Sequence, residues 1–105
     1  MTRVSPYERA ERTSLLLHDA VAERLSREPE LVEIVRRRVE GWIQDGSVSP
    51  PYAKAWKELL DEPLPRLLDA LRERSERMHD LRQVSPFAGV LDPRTRWALR
   101  RAAAG

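Results

Sequence analysis

Two histidines and a terminal run of arginines are the residues of this chain whose types suit chemistry. His18 and His79 each precede an aspartate, as His18-Asp19 and His79-Asp80. Imidazole beside carboxylate serves general-base catalysis and zinc ligation, but both uses need the groups to converge on one point. Adjacent positions of a helix face different ways, and neither histidine belongs to a His-Glu-x-x-His or Glu-x-x-His pattern. His18 is expected to border an apolar stripe and His79 to sit in solvent. The four glycines, at positions 41, 46, 89 and 105, are too scattered for a phosphate-cradling loop. With no cysteine there is no thiolate nucleophile, disulfide or cysteine zinc site. The expectation is a protein that is not an enzyme, with no catalytic residues, no cofactor and no metal.

The second constellation is the stretch from Ser85 to Arg101, where an apolar knot runs into a basic helix. It holds the only phenylalanine, and five Arg against one Asp fall within residues 81–105, whereas residues 1–80 are slightly acidic. Aromatic side chains with arginine are the composition enriched at protein–protein hot spots. Phe87, Val90, Leu91, Arg94, Arg96, Trp97, Arg100 and Arg101 are therefore the candidate partner-binding residues. Two readings stay open: the apolar members close the helical bundle, or they enter a partner's pocket. They are also compatible, with Phe87 and Leu91 inward and Trp97, Arg96 and Arg100 outward. DNA is the alternative partner, since four arginines on one helix suit phosphates. No Asn or Gln on that helix reads a base, and the acidic body opposes the attraction. Arg36-Arg37-Arg38 points in three directions and has Glu33 and Glu40 to pair with.

Helices and one bend between them are expected to carry these residues. A chain of 105 residues, 41% hydrophobic and 34% charged, is the size of one domain with one modest core. Seventeen of its nineteen basic residues are Arg, which favours planar bidentate contacts but also follows from a GC-rich genome. No apolar run approaches the roughly 20 residues that span a bilayer, and the N-terminus lacks the apolar core of a signal peptide, so a cytoplasmic location is expected. Ser5-Pro6-Tyr7-Glu8 reads as a capping box opening a helix that ends near Ser26, with Leu17, Val21 and Leu25 on its apolar face. Pro29 opens a second helix whose stripe is Leu31, Val32, Val35, Val39, Trp42 and Ile43 and whose stop is Asp45-Gly46. These two are expected to form an antiparallel hairpin. Ser49-Pro50-Pro51 opens a third, carrying Tyr52, Trp56 and Leu60. Leu64, Leu67, Leu68, Leu71, Met78 and Leu81 then describe one fourth helix, from about Pro63 or Pro65 to Gln83, with a highly charged middle. Ser85-Pro86 bends the chain, and Asp92-Pro93 caps a last helix running to Arg101 or beyond. No segment alternates with period two. The expected class is all-α, a single small domain of four to five helices in hairpins or a bundle. Residues 1–84 form the bundle and residues 85–105 a bend and basic helix, either part of that domain or a docking arm. The broad apolar face of the first helix permits a homodimer.

From Tyr52 to Trp97 the chain also resembles a known group. Tyr52-Ala53-x-x-Trp56-x-x-Leu59-Leu60, Pro63-Leu64-x-x-Leu67-Leu68, Ser75-Glu76-Arg77-Met78 and Ser85-Pro86-Phe87-Ala88-Gly89-Val90-Leu91-x-Pro93-Arg94-x-Arg96-Trp97 resemble a family of small all-helical bacterial antitoxin-like proteins encoded beside a toxin. The resemblance implies an antitoxin that neutralises a cognate toxin by direct binding. It leaves open whether that toxin is nucleotidyltransferase-like or kinase-like. An autoregulatory DNA-binding protein and a structural helical adaptor are the alternatives.

Overall fold

Prolines punctuate the chain, and four helices have one at their first or second position in the computed structural model, which describes residues 5–104. Ser5 caps α1 (Pro6–Arg27): its hydroxyl accepts from Glu8 N–H at 3.1 Å, and the Glu8 carboxylate reaches back to the Ser5 amide at 3.4 Å. Helix α2 (Leu31–Asp45) stops at Gly46, whose φ of 68° is the left-handed C-terminal cap expected of Asp45-Gly46. Helix α3 (Pro50–Asp61) begins on its Pro-Pro pair and ends before Pro63. The final helix, α6 (Pro93–Ala104), is capped by Asp92, which accepts from the Thr95 amide at 2.8 Å and the Thr95 hydroxyl at 2.9 Å.

Between α3 and α6 the expected single helix is two, α4 (Leu64–Arg72) and α5 (Glu76–Arg82), so the described residues form six helices. The break has a local cause and a tertiary one. Ser75 adopts an extended backbone and caps α5 by accepting from Met78 N–H at 3.2 Å. The Arg82 guanidinium then folds back to the carbonyl of Glu73 at 2.7 Å and that of Leu71 at 3.3 Å, satisfying the end of α4. A continuous helix would carry Arg82 away from those carbonyls and Leu81 away from the core.

Pairing departs from chain order. The close neighbours of α1 are α4 and α6, with α5 beside them, and α2 lies on α3. The α1–α2 hairpin expected from sequence is therefore not the packing unit. Burial is non-directional, so each amphipathic stripe takes the face that covers it best, whatever its distance along the chain. Leu25, Val35, Val39, Trp56, Leu60, Leu67 and Leu71 are almost fully buried in one cluster, which Phe87, Val90 and Leu91 complete. The result is an all-helical body of 46 × 29 × 23 Å. Among the described residues no strand forms, and no helix is long and apolar enough to cross a membrane.

Candidate functional site

The bend between α5 and α6 is held from three sides, and that fixes where the candidate residues point. Phe87 packs edge-to-face on Trp56, with ring centroids 5.4 Å apart, and on His18 at 6.0 Å. The Trp56 indole N–H donates to the Leu81 carbonyl at 3.2 Å, tying α3 to α5. From α2, Arg38 donates to the carbonyls of Pro86, at 2.8 Å, and Ala88. From α1, His18 Nε2 lies 2.8 Å from Ser85 Oγ, which also accepts from the Phe87 amide at 3.3 Å. The turn closes with Val90 N–H on the Phe87 carbonyl at 3.1 Å and with Gly89 at φ 91°, a conformation costly for any residue with a Cβ.

His18 is buried, and its tautomer follows from its partners. Nδ1 lies 2.7 Å from the Ser14 carbonyl, which can only accept, so Nδ1 carries the proton and Nε2 accepts from the Ser85 hydroxyl. Burial pushes the His18 pKa down, the Ser14 hydrogen bond works against that, and Arg82 lowers it further while Asp19 raises it. Serine and histidine at this distance are within nucleophile–base reach, but the ring is covered by Phe87, and its other nitrogen is oriented by a carbonyl rather than a carboxylate. What the pair does here is fasten α1 to the bend. His79, expected in solvent, is instead half-buried, with Nε2 2.9 Å from the Tyr7 hydroxyl and Nδ1 3.8 Å from Glu11. Among the described residues no cluster of three or more metal-ligating side chains forms.

The eight candidate partner-binding residues separate into three groups. Phe87, Val90 and Leu91 are buried in the core, with only an edge of Phe87 and of Leu91 reaching the groove beside α1, and none of them lies on the outer face of α6. Arg96 and Arg100 line a groove between α1 and α6, on the same side of α6 as half-buried Leu99 and buried Ala103. Arg94, Trp97 and Arg101, spaced three and four apart, are exposed on its outer side, and Trp97 is 64% exposed. Trp56, by contrast, is fully buried and Trp42 half-buried against the core.

The groove has a volume of about 560 Å³. One wall is the Arg9, Ser14, Leu17 and Val21 face of α1, the other is α6, and Arg82, Ser85, Phe87 and Leu91 close it. Helix α6 packs against α1, and residues of both helices line the groove. No carboxylate lines the groove among the described residues. Sequence reasoning missed Arg38 and Arg82 as structural ties, because their carbonyl partners lie 48 to 50 and 9 to 11 residues away. It also missed Arg9 and Ser14, whose only sequence signal is their place beside the apolar stripe of α1. No protein-family model, curated protein or solved structure gives a significant match to this chain.

Proposed function

We propose that this protein is a small helical binding module, an antitoxin that neutralises a co-encoded toxin by docking through the outer face of α6. The observation that carries the reading is the exposed Arg94–Trp97–Arg101 stripe. A tryptophan left 64% exposed on a helix whose opposite side is packed leaves a large apolar surface unburied, and flanking guanidiniums give it the chemistry of an interface hot spot for an acidic surface. The resemblance of residues 52–97 to antitoxin-like proteins supports the same reading. Inhibition of this kind needs a surface that covers the toxin's nucleotide or substrate site, and arginines on that surface suit the acidic residues such sites use to hold metal ions.

The test is binding to the product of the adjacent gene, with growth rescue on co-expression. Trp97→Ala is expected to weaken the complex by about 2–4 kcal/mol and to abolish rescue while the circular dichroism spectrum stays unchanged. Equal binding by the variant, or no complex with the wild-type chain, overturns the reading. A complex with duplex DNA that dissociates steeply between low and moderate salt transfers the stripe to a DNA-binding regulator instead.

A further inference from the structure

We infer that the groove between α1 and α6 is a binding site for a small apolar carboxylate, with an acyl or aromatic body on the groove floor and its anionic head among the arginines. Two observations converge on this occupant. Arg9, Arg96 and Arg100 line the groove and no carboxylate does among the described residues, so these three cations lack an opposite charge within the groove itself, whereas the Arg82 guanidinium is already taken up by the Leu71 and Glu73 carbonyls. The floor of the groove is apolar: Leu17, Val21, Phe87 and Leu91.

Size and charge select the class. About 560 Å³ falls within the range of pockets for small organic ligands, which are mostly apolar with a few placed polar groups. A bare inorganic anion would leave the floor wet, and an apolar molecule without charge would leave the guanidiniums unanswered. An apolar monoanion satisfies both parts, and the planar guanidinium fork matches a carboxylate. The site is distinct from the outer stripe of α6, because Arg96 and Arg100 face α1 while Trp97 faces away from it.

The experiment is an amide-resolved NMR titration of the full chain with decanoate, octanoate, decanol, decyltrimethylammonium and decyl phosphate, each below its micellar concentration. Decanoate is expected to saturate at one per chain and to shift the amides of Ser14, His18, Phe87 and Arg100. Octanoate is expected to bind roughly tenfold more weakly, as two fewer buried methylenes predict. Decanol and decyltrimethylammonium should fall at least tenfold below decanoate, as should decanoate on the Arg96→Ala/Arg100→Ala variant. Should that variant lose its fold, Ala10→Glu places a carboxylate in the lining from an exposed helical position and is expected to abolish binding with helicity intact. Trp97→Ala, which tests the docking stripe, is expected to bind decanoate as the wild-type chain does. Equal binding of the cation, shifts confined to other surfaces, or no saturation by millimolar decanoate overturns the site, and tenfold preference for decyl phosphate overturns the carboxylate assignment.

Discussion

His18 shows how a single residue can be half legible. Its place at the edge of the α1 stripe follows from helical spacing, whereas its neutrality follows chiefly from burial, under a Phe87 ring that only the fold brings there. That neutrality makes stability depend on pH. Burial holds the folded-state pKa below the ordinary 6.5, so protons bind the unfolded chain more readily. The contribution is fully present above about pH 6.5 and is lost as pH falls toward the folded-state value. Arg82 adds to the depression and Asp19 opposes it. Urea denaturation of the wild-type chain at pH 7.5 and 5.0 is expected to show lower stability at pH 5.0, and His18→Gln to show a smaller difference. Asp92, held below its usual range chiefly by the Thr95 amide and hydroxyl, has its own loss at lower pH, as carboxylates with depressed pKa values do. Arg38 and Arg82 were illegible for a related reason: their partners are backbone carbonyls, which every residue carries and which no side-chain pattern marks.

At the scale of the elements, caps and stripes carry their own signals, because both are satisfied within a few residues. Ser5, Gly46 and Asp92 end or begin helices where the sequence places those ends. The break between α4 and α5 was missed because Arg72-Glu73-Arg74-Ser75 suits a solvated helix as well as a turn. What breaks it is the fold-back of Arg82, a contact that exists only once α5 has packed. The bend of residues 85–91 was legible as a bend, and its glycine has a specific duty. At φ 91°, Gly89 has room for a methyl group, with Arg38 the nearest side chain at 4.0 Å from an added Cβ, so backbone strain alone sets the cost of substitution. Gly89→Ala is expected to destabilise the protein by about 1 kcal/mol, read as a shift in the denaturation midpoint with unchanged slope. A cost near zero would mean that the turn adopts another conformation in solution.

Across the whole molecule, α6 is where core and candidate function meet. Its inner side, with Leu99 and Ala103, lies against the body and its outer side carries Trp97, so substitutions on the two sides should separate. Ala103→Glu, which forces a charge into a position 1% exposed, is expected to cost about 1–3 kcal/mol of stability. Trp97→Ala should change it by less than about 0.5 kcal/mol, both measured by urea denaturation. If Trp97→Ala proves as costly as Ala103→Glu, the stripe belongs to the core of the folded protein in solution and the docking surface is lost. The all-helical class, nearly every helix start and the inward set of Trp56, Leu60, Leu67 and Leu71 were readable from the residues alone, because capping and 3.6-residue periodicity are local. Tertiary structure alone decided that α1 lies on α4 and α6 rather than α2, that Phe87 is core while Trp97 is surface, and that Arg9 and Arg100 share a groove. Those outcomes depend on which apolar face covers which, and burial rewards area removed from water without regard to separation along the chain.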